Sequence, residues 1–143
     1  MPPTFGDEVR ARGWRTGSVL PGDLVQKCLA HLSRPDGTSA EMKDNDWLVV
    51  VSQTCDVIAP KMEAEPLVEV LHCQVIPKLE SQFANLRSTR KLHFYANRNA
   101  NPKLALSAHA LADKYVIPRD LLRNNDPDEA RNLDDTATKR VLA

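Results

Sequence analysis

The chain has 143 residues, which is enough for one domain with a single hydrophobic core. Hydrophobic residues make up 42% of it and charged residues 27%, a balance typical of globular proteins in water. No apolar run approaches the roughly 18 residues that span a membrane, and the opening sequence MPPTFGDEVR lacks the apolar segment of a secretory leader. These features exclude a membrane protein and predict a cytoplasmic location with no membrane partner.

The cysteines and glycines exclude several further classes of site. Cys28, Cys55 and Cys73 are an odd number at wide spacing, which does not suit a disulfide framework or a structural zinc site. The sequence also lacks a glycine-rich phosphate loop, which excludes nucleotide binding of the P-loop or Rossmann kind. We therefore expect reduced thiols, no metal and no cofactor.

The formal net charge is zero, but the charges are unevenly distributed. The sequence between Glu80 and Asp113 has no acidic residue, and the later segment from Asp120 to Asp135 is mixed and leans acidic. The cations inside the acid-free span are Arg87, Arg90, Lys91, Arg98 and Lys103. A basic middle and an acidic tail are therefore expected.

The first part of the chain predicts a lead-in followed by one amphipathic helix. Residues 1–16 are typical of a helical or irregular lead-in. Apolar residues recur at i, i+4 and i+8, at Leu24, Cys28 and Leu32. This spacing gives one apolar face to a helix over about residues 23–33, with Asp23 as its expected N-cap. Residues 33–46 are expected to form a loop.

Runs of β-branched and aromatic residues predict five strands in the rest of the chain. They span residues 47–51, 67–76, 91–95, 104–107 and 114–117. The first run, WLVVV, is apolar throughout and indicates a strand buried on both faces. Pro118 then opens a helical turn, and a last helix begins at Asp134 or Asp135.

This order of elements predicts an α+β fold in one domain, residues 1–143. Several short strands, with a helix before and after them, favour a small, strongly bent antiparallel sheet or SH3-like barrel. Residues 17–117 would form the barrel core with its inserted helix, and residues 118–143 a C-terminal helical part. The order is not the strand–helix alternation of a doubly wound fold.

Several segments resemble one known family. GSVL (residues 17–20), WLVVVS (47–52) and LVEVL (67–71) resemble the opening strands of PemK/MazF-type toxins. LAL (104–106) and KYVI (114–117) resemble the C-terminal third of that family. The resemblance implies an SH3-like barrel that acts on single-stranded RNA, and a homodimer, the common state of PemK-type proteins.

The chain departs from the family's pattern at two catalytic positions. The family's arginine stands just before the second strand, where this chain has Asn45 and Asp46. The family's threonine falls where this chain has His72 or Cys73. The resemblance therefore implies a degenerate endoribonuclease at most, with His72 among its candidate catalytic residues.

The 47–51 and 67–76 strands are expected to be connected by a loop that contains the polar run SQTCD, residues 52–56. This run admits two interpretations. Cys55 is a candidate catalytic nucleophile at a strand end, with His72 or His93 as its base. Asp56 is a poor activator, because a neighbouring carboxylate disfavours the thiolate. The interpretation that we favour is structural: Thr54 and Asp56 bond to the turn backbone, and Cys55 is a small buried side chain.

Strand periodicity separates the neighbours of His72. In the run of residues 67–76, Leu71 and Cys73 share one face, while Val70 and His72 share the other. Cys73 is therefore expected in the core. His72 lies toward the polar end of its face.

The acid-free span carries the candidate nucleic-acid-binding residues. They are Arg87, Arg90, Lys91, His93, Tyr95 and Arg98. Cations suit backbone phosphates, and unstacked bases lie on aromatic rings. On a strand, Leu92 and Phe94 would share one face. Lys91, His93 and Tyr95 would form an exposed stripe on the other face. The alternatives are a solvated basic face, a face that pairs with the acidic tail, or a surface for an acidic protein partner.

Three functions remain open at this point. The first is a PemK/MazF-like domain that binds RNA or another nucleic acid in a bacterial or phage defence or toxin–antitoxin system. The second is a non-enzymatic protein-binding module, such as a phage- or host-encoded inhibitor that acts through a charged surface. The third is a cysteine hydrolase built on Cys55.

Overall fold

A computed structural model of the protein describes residues 2–33, 37–39, 41–80, 91–100 and 102–142. The helices are α1 (Phe5–Ala11), α2 (Gly22–Cys28), α3 (Thr54–Val57) and α4 (Asp135–Leu142). The strands are β1 (Trp47–Val50), β2 (Leu67–Ile76), β3 (Lys91–Tyr95), β4 (Ala105–His109) and β5 (Lys114–Pro118). Short 3₁₀ turns follow α2, at Leu29–His31, and β5, at Arg119–Leu122.

Strand β2 is the centre of an antiparallel sheet. Its Val70 and Leu71 pair with both β1 and β5, so these two strands lie on opposite sides of β2. Strand β4 pairs with Gln74–Ile76, farther along the edge that β5 occupies, and β3 pairs with β4. Residues 110–113 connect β4 to β5, so the two strands follow the long β2 end to end.

The alternating pattern of the strands builds one core on each face of the sheet. The helix-side core joins Leu48, Val50, Val68, Val70, Tyr115 and Ile117 to α1 and α2. The inner core joins Val49, Leu71, Cys73, Leu92, Phe94 and Leu106 to Ala137 and Val141 of α4. The faces expected from strand periodicity are confirmed, and Cys73 is buried.

The α+β class and the antiparallel sheet are confirmed, but the described strands do not close into a barrel. Residues 132–134 lie between the segment beside β1 and the end of β3. Asn132 forms a bridge with Ser18, and the Asp134 N–H donates to the Ala96 carbonyl at 2.9 Å. Pairing ends there, because the Asp134 carboxylate accepts the Ala137 N–H and caps α4. A helix therefore fills the place of a closing strand.

Two local expectations were wrong. Helix α2 begins at Gly22 after Pro21, so Asp23 lies within its first turn instead of capping it. The segment after β1, expected as a loop, contains the one-turn helix α3. Within the described ranges, no helix combines the length and apolarity needed to cross a bilayer.

Candidate functional sites

The SQTCD run is divided between structural and exposed side chains. The Ser52 hydroxyl accepts the Glu69 N–H at 2.8 Å, which continues the pairing of β1 with β2 by a side chain. The Thr54 hydroxyl accepts the Thr16 N–H at 3.2 Å, and the Thr16 hydroxyl donates to the Ser52 carbonyl at 2.6 Å. Gln53, Cys55 and Asp56 remain exposed.

The interpretation of Cys55 as a small buried side chain is wrong, because its side chain is exposed. Helix α3 has a single turn and buries Val57, which leaves Cys55 on the solvent side. The Cys55 sulfur lies 3.9 Å from Oε1 of Gln53 and 4.0 Å from Oδ1 of Asp56. No histidine is among its hydrogen-bond partners in the described part of the chain.

His72 is not brought to Cys55. Its side chain is 2% exposed, and its Nε2 atom lies 2.8 Å from Oδ2 of Asp46. The pairing of the β1 segment with β2 extends to the Val51 N–H, which donates to Glu69, before the SQTCD run begins. Three residues of strand separate Glu69 from His72, about 10 Å. The structure therefore buries His72 against Asp46 and does not show it as a partner of the exposed Cys55.

Sequence reasoning missed Arg119, which fixes the segment after α3. Its guanidinium is fully buried and donates to the carbonyls of Val57, Ala59, Lys61 and Glu65 at 2.6–3.0 Å. The guanidinium carbon lies 4.6 Å from the centroid of the Phe5 ring, and burial lowers the pKa of this arginine. Arg119 thereby holds residues 57–65 against α1.

Helix α1 approaches the same segment through Gly6. A Cβ atom on Gly6 would lie 2.0 Å from the Ile58 carbonyl oxygen, which leaves no room for any other residue. The segment of residues 57–65 is therefore held from both sides, by the α1 backbone and by the Arg119 side chain.

A cleft of about 560 Å³ lies where the inner core opens between β2, β5, residues 51–56 and the end of α4. We call it the mouth cleft. Apolar residues that line it include Val51, Leu67, Leu71, Leu92, Val116 and Leu142. Its polar residues are Ser52, Gln53, Asp56, Glu65, Glu69 and Lys114. The cleft thus has an apolar floor and a mainly acidic rim.

A second cavity, of about 300 Å³, lies between β3, the β3–β4 connection and α4. We call it the basic pocket. Its lining includes His93, Tyr95, Arg98, Lys103 and Arg140. The Lys103 Nζ atom lies 5.2 Å from the centroid of the Tyr95 ring, a cation–π distance.

The basic pocket contains three of the predicted nucleic-acid-binding residues, namely His93, Tyr95 and Arg98. Lys91 is exposed on the same strand, and the predicted residues Arg87 and Arg90 lie outside the described residues. Sequence reasoning placed Lys103 in the basic span but not among the predicted binding residues, and it missed Arg140. Arg140 reaches the pocket from α4, which is distant in sequence from β3.

His93 is 5% exposed, so the exposed stripe expected along β3 is interrupted. Its Nδ1 atom accepts the Glu80 N–H at 3.1 Å, which places the proton of the neutral ring on Nε2. Burial lowers the pKa of His93, and the positive charge of Lys91 lowers it further, against the opposing effect of Glu80. A neutral ring at neutral pH follows.

Asp134 is the carboxylate that interacts with Arg98 at the edge of the basic pocket. Burial alone would raise its pKa, but the N–H groups of Arg98 and Ala137 donate to it and lower the pKa overall. Asp134 therefore offsets part of the charge of Arg98.

No protein-family model, curated protein or solved structure matches the chain. Among the described residues, no group of three or more His, Cys, Asp or Glu side chains is placed to hold a metal ion. The function is therefore inferred from the chemistry of the two cavities.

Proposed function

We propose that the protein is a PemK/MazF-like module that binds single-stranded RNA in the basic pocket without cutting it. The observation that carries this proposal is the convergence of Arg98, Lys103 and Arg140 on the side of Tyr95. Phosphate binding needs clustered cations, and sequence-tolerant binding of single strands adds an aromatic platform.

The arrangement of charges supports a phosphate ligand. Arg98 and Lys103 are exposed and come from the connection between β3 and β4, while Arg140 comes from α4. These cations surround one cavity, whereas a solvated basic face spreads its charges apart. Lys103 lies over Tyr95 at 5.2 Å, so a nucleotide that contacts the ring has its phosphate within reach of the ammonium group.

The same geometry supports binding without cleavage. His72 is buried against Asp46, and the His93 ring is nearly buried, with Nδ1 engaged by Glu80. General acid–base catalysis needs a group within hydrogen-bond reach of the substrate. Neither histidine presents an exposed pair of ring nitrogens to a ligand in the basic pocket.

The test is fluorescence anisotropy with a labelled 12-nucleotide RNA of mixed sequence at low salt, followed by gel analysis of the same RNA. Saturable binding with intact RNA is expected. Arg98→Gln and Lys103→Gln should each weaken binding and reduce the salt dependence, because each removes about one phosphate contact.

Lys139→Gln is the matched control. Lys139 is an exposed cation of α4 that does not line the basic pocket, although Arg140 beside it does. This variant should bind like the parent protein. Absence of RNA binding at low salt would overturn the proposal, and cleavage of the RNA by a homogeneous preparation would overturn its non-catalytic part.

A further inference from the structure

We propose that the mouth cleft is a docking site for a peptide segment of a partner protein that carries lysine or arginine beside bulky apolar side chains. This site is separate from the basic pocket: the two cavities share no lining residue, although both border α4. The inference therefore does not depend on RNA binding.

Exposed apolar side chains are concentrated at the mouth cleft. Five large hydrophobic side chains are exposed in the described residues, and three of them line the cleft: Leu67, Val116 and Leu142, each 45–49% exposed. The cleft floor continues into the buried inner core through Leu71 and Leu92. Three exposed apolar side chains around one cleft offer a partner apolar contacts beside the polar rim.

The rim selects the charge of the occupant. Asp56, Glu65 and Glu69 line the cleft together with one cation, Lys114, which lies 3.4 Å from Glu69. Asp56 and Glu65 form no ion pair within the described residues, although buried Arg119 partly offsets the charge of Glu65. Two carboxylates are therefore available to a cationic side chain, and an acidic ligand would be repelled.

The walls of the cleft are held by hydrogen bonds within the protein, which lowers the entropic cost of ordering them when a peptide binds. One wall, at Ser52, is bonded to β2 through the Glu69 N–H. The wall at Glu65 is held by the Arg119 Nε atom, which donates to the Glu65 carbonyl at 2.6 Å. A peptide therefore finds its carboxylates and apolar floor in place.

The volume suits a short segment. About 560 Å³ lies within the range of sites that enclose a small ligand or a few side chains. Two or three apolar side chains fill the floor while one or two cations reach Asp56 and Glu65. This geometry matches a peptide in which basic and apolar residues alternate.

The probe is a fluorescein-labelled, capped hexapeptide in which lysine alternates with leucine, measured by anisotropy. One comparison peptide alternates glutamate with leucine, and another alternates lysine with serine. The proposal expects saturable binding of the lysine–leucine peptide alone. No saturation by this peptide up to about 1 mM, the weakest affinity that still indicates a site, would overturn it.

Variants locate the contact. The double variant Asp56→Asn with Glu65→Gln should lower the affinity for the lysine–leucine peptide at least about threefold, because it removes two surface carboxylates. Val116→Ser should also weaken it. The matched controls are Glu63→Gln, an exposed glutamate of the same loop, and Leu111→Ser, an apolar side chain that is 65% exposed outside the cleft. Equal losses in test and control variants would overturn the location.

Two other occupants give distinguishable outcomes. If a second copy of the chain fills the cleft, Val116→Ser turns a dimer into a monomer in analytical ultracentrifugation, which overturns the partner peptide. If residues 81–90 of the same chain fill it, the double variant Arg87→Ser with Arg90→Ser gains affinity for the probe, which also overturns it. A monomer with unchanged affinity in that variant supports the proposal. Excess unlabelled RNA should not displace the peptide.

Discussion

The Nε2 atom of His72 lies 2.8 Å from Oδ2 of Asp46, and both side chains are buried. In the resemblance to PemK/MazF-type toxins, these two residues stand at or beside the positions of the catalytic arginine and threonine. Here they bond to each other between the start of β1 and the middle of β2. The pair therefore ties the start of β1 to the middle of β2 through buried side chains.

We expect the Asp46–His72 pair to act in stability and not in ligand binding. Asp46→Ala removes the acceptor of His72 and of the Lys43 N–H, so the free energy of unfolding should fall by about 1–3 kcal/mol. Urea denaturation measures this loss, and RNA affinity of the folded variant should be unchanged. Asp44→Asn, at an exposed site in the same loop, should change stability by less than about 0.5 kcal/mol.

A double-mutant cycle of Asp46→Ala and His72→Phe tests the pair itself. Because the two side chains share one buried hydrogen bond, the combined loss should be smaller than the sum of the single losses. Simple additivity would contradict a direct energetic coupling.

Arg119 is expected to be the larger determinant of stability. Arg119→Met leaves the carbonyls of Val57, Ala59 and Glu65 without a donor. The Lys61 carbonyl loses one of its two donors and keeps the Ala64 N–H. The free energy of unfolding should therefore fall by about 3 kcal/mol or more. The same denaturation experiment measures it. Local opening should also appear as faster hydrogen exchange in residues 57–65.

Arg123→Met is the matched control for Arg119. Arg123 also lies over the Phe5 ring, at 4.8 Å, but it is exposed and pairs with Glu8. Its removal should lower the free energy of unfolding by no more than about 1 kcal/mol. Similar losses in the two variants would show that stacking on Phe5, and not the four carbonyls, provides the stability.

One thiol per native chain should react quickly with a disulfide reagent at pH 8. Cys55 is exposed, whereas burial raises the pKa of Cys28 to about 11 and raises that of Cys73 still further. Three thiols should react after denaturation. Cys55→Ser should remove the fast reaction without loss of stability or RNA affinity, and a loss of RNA affinity would reopen a role for this residue in the site.

Stability should decrease as the pH falls below about 6.5. Burial lowers the pKa of His93 from its ordinary value of 6.5, so the unfolded chain takes up a proton before the native chain does. The contribution of His93 is therefore complete above that pH and declines as the pH falls through the window between the two values. Melting temperatures from pH 7.5 to 5 measure the effect.

His93→Gln should flatten this pH dependence, since glutamine cannot be protonated. His31→Gln is the control, because His31 is exposed on the 3₁₀ turn after α2. If both variants follow the same pH profile as the parent protein, a group other than His93 causes the loss of stability at low pH.

Two substitutions in the basic pocket should distinguish the contribution of base stacking to RNA affinity from that of phosphate contacts. Tyr95→Leu removes the ring but no charge, so RNA affinity should fall about fivefold or more with an unchanged salt dependence. Lys103→Gln should instead lower the slope of log K against log salt by about 0.7. Anisotropy titrations at four salt concentrations distinguish them, and an unchanged affinity in Tyr95→Leu would exclude base stacking on this ring.

The sequence by itself determined the five strands, the apolar face of β2 that joins the inner core, and the position of the last helix. The bounds of β2 and β3 agree with the expected residues 67–76 and 91–95, because alternating or continuous apolar runs report local burial. It also indicated the acid-free span that supplies Arg98 and Tyr95 to the basic pocket. Such properties depend on the residue types within a few positions of each other.

Only the tertiary structure decided which side chains meet. Arg140 joins Tyr95 across about 45 residues of sequence, Arg119 binds the carbonyls of residues 57–65, and Asp46 bonds to His72. Cys55 proved exposed because a single helical turn buries Val57 in its place. These outcomes depend on strand register and on packing between distant segments, and a local sequence pattern carries neither.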